Sequence, residues 1–370
     1  MDAGPAQLQT PPEVAAHPAV QRAERLAHDL LIPAAQRVDV EGLPRGHIEA
    51  ARSAGLIGLA GPVSAGGGGA SPPVLRAVTE TLSGACGTTW FVLTQHHLPL
   101  ATVEHSGSAA ARQAYLQPLA SGDRLAGVAV AHLRRPGPAT VTATPDRSSG
   151  GWIVDGPVAW FTGWGLVDTF LLGAQHGDEL LFFMVDATEQ PRLTAGDDLA
   201  LAAMGGTHTR SLTLDGLHLD ADRLVDVVPR GQWLAADVVR TANVTAAVFG
   251  LLRAVVGQLA LTGQRRSSTE ATALAEALAA DGGALRETAY RLIDGTPAED
   301  ALDERLRLRA AACELTVRAS AALVAAQAGG AMLRSAPAQR WAREALFHQV
   351  QAQTTDVRAA QLRRYAEVGR

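Results

Sequence analysis

Residues 327–358 read QAGGAMLRSAPAQRWAREALFHQVQAQTTDVR, from Gln327 to Arg358. The segment before them is apolar at helical spacing, with Leu308, Ala312, Leu315, Ala319 and Ala322 on one stripe. That helix stops at Gln327 and the Gly329-Gly330 pair, because glycine enters the left-handed backbone that closes a helix. A second, charged helix follows and carries one embedded histidine, His348, five residues after Arg343.

Working outward, Val244, Val248, Leu251, Val255 and Leu259 make another stripe. The alanine-rich stretch STEATALAEALAADGGALRE between the two stripes predicts a helix with a break at its Gly-Gly pair. Close-packing alanine helices imply a C-terminal four-helix bundle over residues 224–370. Before it, from 123 to 223, the period changes to short alternating or β-branched segments such as TVTAT, GWIVDG, TFLLGAQ, ELLFFMVD and SLTLDGLHL. They predict a mainly antiparallel β domain, a small barrel or sandwich. Residues 17–122 read as an N-terminal helical domain, with an amphipathic helix broken at Pro33 and a later apolar one, TTWFVLTQHHLPLATVEH. Residues 1–16 read as disordered. The fold class is α+β. The loop GPVSAGGGGA lacks the Lys-Ser/Thr of a phosphate loop and reads as a flexible turn.

Composition excludes several chemistries. All 32 basic residues among the 370 are arginine, so neither a Schiff-base lysine nor a P-loop lysine exists. The net charge of −5 and the lack of a basic stripe argue against nucleic acid. Cys86 and Cys313 are too far apart for a C-x-x-C site and read as buried thiols in a reducing compartment. No H-E-x-x-H or G-x-S-x-G occurs, so neither a zinc site nor a serine hydrolase is expected. No signal peptide and no 18-residue apolar run are read, giving a cytoplasmic protein without a membrane partner. No G-x-G-x-x-G follows a strand, so the chain is not expected to bind NAD(P)H.

The helix–sheet–helix order, the Gln327-Ala328-Gly329-Gly330 turn beside the family's Q-x-x-G-G, the hairpin GWIVDGPVAWFTGWGLVDTFLLGA and the strand pair SLTLDGLHLDADRLV resemble the acyl-CoA dehydrogenase fold. That resemblance implies a flavin site. Trp160, Phe161, Thr162 and Gly163 stand where the family's Trp-Ile-Thr holds the flavin N5 edge; otherwise Trp160 and Phe161 are plain core. Arg266, with Gln327, Gly329 and Gly330, stands where the family reaches a neighbouring subunit's flavin diphosphate, so a homodimer or homotetramer is expected. The family's T-E-P-x-x-G-S-D segment is replaced by Ala131-His132-Leu133-Arg134-Arg135-Pro136-Gly137, which leaves His132 on the first flavin-contact segment. Where the dehydrogenases carry their glutamate, this chain reads Gln351-Ala352-Gln353-Thr354-Thr355, and alanine cannot remove a proton. Asp237 is the one weak candidate for a substitute base on the bundle.

The chain is most similar to the flavin-dependent two-component monooxygenase branch, of the dibenzothiophene monooxygenase and amine N-hydroxylase type. That likeness implies reduced FMN or FAD supplied by a separate flavin reductase, oxygen, and a small apolar or amine-bearing substrate. A reduced flavin that meets oxygen needs a dry pocket, a hydrogen bond at N5 and a group of pKa near 7. Histidine, with an unperturbed pKa of about 6.5, suits the last role. His348 and one of His96 and His97 are the candidates, each weighed against a plain structural role. The other seven histidines sit on surface-like segments. Two further readings stay open: an acyl-CoA dehydrogenase with a non-standard base, and a flavin-free partner protein of the same fold.

Overall fold

The computed structural model describes residues 8–368. Eight helices come first: α1 (Pro12–Ala15), α2 (Pro18–Leu26), α3 (Ile32–Glu41), α4 (Arg45–Ser53), α5 (Pro72–Ala85), α6 (Gly87–Thr94), α7 (His97–Glu104) and α8 (Ala109–Ala120). The expected break at Pro33 is not there. A π-helical turn, Ala27–Leu31, absorbs the proline and leaves it in the first turn of α3, where a missing N–H costs no hydrogen bond. Disorder over residues 1–16 is also corrected where the chain is described. Leu8 is buried with Leu252 in the bundle core, and Arg253 donates to Thr10 at 3.3 Å. Residues 1–7 lie outside the described residues.

The glycine loop is a tightly packed turn. Gly67, Gly68, Gly69 and Ala70 donate to the carbonyls of Pro62, Gly58, Gly61 and Leu59, so those N–H groups are spent internally and offer no cradle for an anion. A methyl on Gly67 would lie 2.2 Å from the Gly61 carbonyl oxygen.

The sheet comprises β1 (Ala126–Ala129), β2 (Thr142–Pro145), β3 (Trp152–Phe161), β4 (Thr169–His176), β5 (Glu179–Asp186), β6 (Leu193–Asp198), β7 (Arg210–Leu219) and β8 (Leu224–Pro229). These form one path, β6-β7-β3-β2-β4-β5-β8, with β1 beside β4. Five pairings are antiparallel; β1 and β2 run parallel to β4, so the sheet is mixed. β4 and β5 are buried on both faces, which explains their continuous apolar runs.

The chain then returns to helix: α9 (Arg230–Ala242), α10 (Ala246–Arg266), α11 (Thr269–Gly295), α12 (Leu302–Gln327), α13 (Pro337–Val350) and α14 (Thr355–Val368). The expected Gly-Gly break in α11 does not occur. The helix runs straight through Gly282, where a methyl would come within 2.6 Å of Leu252; the glycine lets α11 approach α10 closely. Arg230–Arg266 has the length and mean hydropathy of a membrane span, but it is interrupted between Ala242 and Ala246, and most of its apolar window is buried within the protein.

α13, the helix of His348, is fixed to the N-terminal region by arginines. Arg340 donates to Gln36 at 2.6 Å and Arg343 to Asp39 at 2.5 Å and to the Ala202 carbonyl at 3.0 Å. Arg309 on α12 caps two helix ends at once. It donates to the carbonyls of Thr241 in α9 and, at 2.5 Å, of Gln351 just after α13. The partial negative charge of those two C-termini offsets its buried guanidinium.

Candidate functional site

β3 delivers the hairpin residues. At the end of the strand Trp160 and Phe161 point to opposite sides, and Thr162 follows just beyond it. Trp160 is 50% exposed, whereas Phe161 is fully buried against Phe170, at 4.8 Å between ring centroids, and Trp164, at 5.9 Å. The Phe161 side chain is therefore core, which corrects its reading as a flavin contact. Gly163 adopts φ +90°, where a side chain is strained, and donates its N–H to the Thr207 carbonyl at 3.0 Å. Thr162 is buried and hydrogen-bonded to Thr209, Oγ1 to Oγ1, at 3.0 Å.

A cavity of about 200 Å³ opens beside this strand, lined by Ala131, His132, Arg135, Val158, Ala159 and Trp160. Two residues read from the sequence, His132 and Trp160, thus meet. His132 Nε2 donates to the Gly173 carbonyl at 2.8 Å, while its buried Nδ1 has no partner among the described residues. Burial lowers its pKa, and the carbonyl bond opposes that only in part. Arg135 forms no ion pair there among the described residues. An open indole face, an unpartnered ring nitrogen and a free cation suit a flat, nitrogen- and oxygen-rich ring such as isoalloxazine.

A second, open pocket of about 270 Å³ lies at the end of α10, lined by Gln258, Thr262, Arg265, Arg266, Gln327 and Gly330. Arg266 donates to the Gln327 carbonyl at 3.0 Å, and a methyl on Gly329 or Gly330 would meet nothing within 4 Å. Arg266, Gln327 and Gly330 are thus brought together, and none of them lines the first cavity.

The histidines divide sharply. At His96, Nδ1 accepts from the Ala126 N–H at 3.1 Å and Nε2–H donates to the Leu119 carbonyl at 3.0 Å. Both nitrogens are occupied by backbone, and burial pushes the imidazole down to about 4. His96 is a brace between the helices and β1, which corrects its candidacy as a proton carrier. His97 starts α7 and is exposed, and desolvation lowers its pKa. His348 is 3% exposed and packs against Trp90 at 5.4 Å and Phe347 at 5.7 Å. Its Nδ1 and the Trp90 indole Nε1 are both buried without partners. Burial pushes the His348 imidazole down to about 4, opposed by Gln351 and reinforced by Arg309. The expected pKa near 7 is therefore corrected: His348 is neutral at physiological pH. No hydrogen bond or ring contact joins it to His97 among the described residues. His47, read as a surface residue, is buried on α4.

Two carboxylates behave differently. Asp237, the sequence candidate for a base, is 1% exposed and receives a fork from Arg134, at 2.6 and 2.9 Å, and a further contact from Arg240. Burial would raise its pKa, but the two arginines outweigh it and hold the carboxyl low. An ion pair this tight is a poor base. Glu344, one turn before His348, went unnoticed in the sequence. It pairs with Arg340 at 2.9 Å, and desolvation still pushes its carboxyl up. The apolar wall also went unnoticed: Phe91 meets Phe347 edge-on at 4.7 Å beside Trp90. Its only sequence signal was the W-F pair three turns from nothing else aromatic, which resembles ordinary core.

Comparison with known proteins follows the same lines. Residues 17–123 match the family model "Acyl-CoA dehydrogenase, N-terminal domain". Benzylmalonyl-CoA dehydrogenase of Aromatoleum aromaticum is 24% identical over 206 residues, covering 54% of each chain. The curated relatives match over about half of their own length or less. Among solved structures, a glutaryl-coenzyme A dehydrogenase complexed with glutaryl-CoA superposes with a TM-score of 0.80 at 18% identity, covering 96% of this chain and 94% of that one. Dibenzothiophene monooxygenase (TdsC) from Paenibacillus sp. A11-2 gives 0.74 at 19% identity, covering 90% and 92%; it has also been solved with FMN and indole.

Proposed function

We propose that this chain, which begins with an acyl-CoA dehydrogenase N-terminal domain and keeps that fold throughout, is a flavin-dependent monooxygenase acting on a small substrate. Reduced FMN or FAD would come from a separate reductase and bind at the cavity that His132, Arg135 and Trp160 line. The observation that carries this reading is the lack of a carboxylate at the dehydrogenase position. Ala352 stands where the resemblance puts the catalytic glutamate, and Asp237, the other candidate, is held by two arginines.

The flavin would supply electrons and the activation of oxygen. The chain's own residues then have three tasks. Trp90, Phe91 and Phe347 form an apolar cluster that keeps His348 dry. Thr162 meets the N5 edge. His348 offers a neutral Nδ1, and His97, being exposed, is the histidine that can exchange a proton with solvent. Exposed Met332, Leu333, Leu346 and Val350 on and before α13 support self-association into a dimer or tetramer.

A dehydrogenase is the second reading, since the named curated relatives are acyl-CoA dehydrogenases. Two spectra decide. Titration with FMN and FAD should perturb the flavin absorption; no change in either would favour a flavin-free protein. Anaerobic addition of acyl-CoA thioesters should leave the bound flavin oxidised; bleaching of its visible absorption would establish the dehydrogenase instead.

A further inference from the structure

Helices α6 and α13 lie in step. A methyl on Gly87 would come within 2.8 Å of the Glu344 carboxyl carbon, and about a turn further along both helices the Trp90 and His348 rings meet at 5.4 Å between centroids. Glu344 and His348, four residues apart, therefore share the face of α13 that packs on α6. Glu344 and Trp90 are 2% exposed and His348 3%. Three polar atoms on this face have no partner among the described residues: Glu344 Oε2, Trp90 Nε1 and His348 Nδ1. Buried polar atoms are almost always paired, so three orphans in one place point to a shared ligand. Their chemistry fits water. The indole N–H only donates, a carboxyl oxygen accepts or, when protonated, donates, and an imidazole nitrogen without a proton accepts. Gln351 favours a proton on the His348 ring while Nδ1 meets nothing, so the proton sits on Nε2 and Nδ1 is a lone pair.

We propose, resting on the functional reading above, that Glu344 is a positioning residue for His348: one internal water links Glu344 Oε2, Trp90 Nε1–H and His348 Nδ1, and the Glu344 proton replaces the one His348 gives up. Such a water accepts from the indole and from Oε2–H and donates to Nδ1, about the usual number of bonds for an internal water. When Nε2–H loses its proton to a basic atom of the substrate or cofactor, the water passes a proton to Nδ1 and takes the one on Oε2. The imidazole stays neutral and Glu344 becomes a carboxylate beside Arg340, at 2.9 Å. The water keeps the same number of bonds, now donating to Oε2 and accepting from Nδ1–H. A histidine that burial holds uncharged can deliver a proton in this way. Burial also favours the starting point, a protonated Glu344. No other group around the pair competes. Arg340, Arg343 and Arg309 stay charged, Asp39 is taken by Arg343, and burial leaves Cys86 and Cys313 as thiols of low acidity.

Infrared difference spectra of the full chain at neutral pH, without flavin, test the pair. The wild type should show the C=O stretch of a buried carboxylic acid, and Glu344→Gln should lose it. Trp90→Phe and His348→Gln each change one partner of the water, so each should shift that band. A purely structural Glu344, ionised against Arg340, would show no such band and nothing to shift. Should Glu344→Gln fail to fold, the two other variants carry the test, because the band of any acid elsewhere in the chain would ignore both substitutions. Absence of the band in the wild type, or a band indifferent to Trp90→Phe and His348→Gln, overturns the inference whether or not a flavin binds. A separate titration with FMN and FAD addresses the functional reading. If neither flavin binds, the proton has no reaction to serve and the assigned role of Glu344 falls with that reading, even where the band is present.

Discussion

Replacing Asp237 by asparagine tests whether this carboxylate holds the structure together or does chemistry. The side chain is 1% exposed, and it accepts two bonds from Arg134 and a contact from Arg240. Asparagine keeps its shape but removes the charge that neutralises two guanidinium groups. Arg240 can relax toward solvent, being 44% exposed, whereas Arg134 is 20% exposed and less able to. Breaking a buried pair by removing one partner costs about 3–5 kcal/mol. The exposed arginine argues for the lower end, so Asp237→Asn should lose about 3 kcal/mol in urea or thermal unfolding. Because Arg134 ends the turn that carries His132, flavin affinity should weaken as well. Low pH should mimic the substitution. The folded pKa is depressed, so the stabilisation is present above the unfolded value of about 3.9 and is lost as pH falls through the folded one. A stable Asp237→Asn variant that binds flavin normally but has lost turnover would refute this reasoning and restore Asp237 as the base.

The two adjacent histidines should behave oppositely. His96→Ala leaves the Ala126 N–H and the Leu119 carbonyl without a partner and should destabilise the fold by about 2–4 kcal/mol. His97→Ala should leave unfolding nearly unchanged while lowering turnover by about a hundredfold or more, as loss of an acid–base group does; equal stability losses would reject the division. A pH series on stability checks the buried imidazoles. Both His96 and His348 are held near 4, so the unfolded chain binds protons first as pH falls below about 6.5. Each should therefore weaken the fold by about 1.4 kcal/mol per pH unit down to near 4, with no further loss from them below it. His348→Gln should remove one of the two contributions, and an unchanged slope would show that His348 is not buried neutral.

Much of this architecture could be read locally. Helical stripes such as Val248–Leu251–Val255 and the apolar runs of β4 and β5 carry their own period, and the order of those periods is the order of the layers. The absence of a carboxylate at Ala352, and of any lysine, is likewise a property of the chain alone. Segments whose conformation depends on a distant neighbour were misjudged. The Gly282-Gly283 pair looked like a helix break, but glycine also permits close helix approach, and only the position of Leu252 shows which applies. Pro33 looked like a stop until a π-turn made room for it.

The site depended still more on long-range pairing. His96 and His97 are adjacent and chemically identical in the sequence. Leu119 and Ala126, 23 and 30 residues away, occupy both nitrogens of the first and leave the second free. Asp237 was a plausible base until Arg134, 103 residues earlier, closed on it. A side chain's periodicity is fixed by its neighbours in the chain, so composition and spacing determine the layers. Its proton and its charge are fixed by whichever groups folding brings within about 3 Å, and here those are Leu119 and Ala126 for His96 and Arg134 for Asp237, set far from the residues they govern.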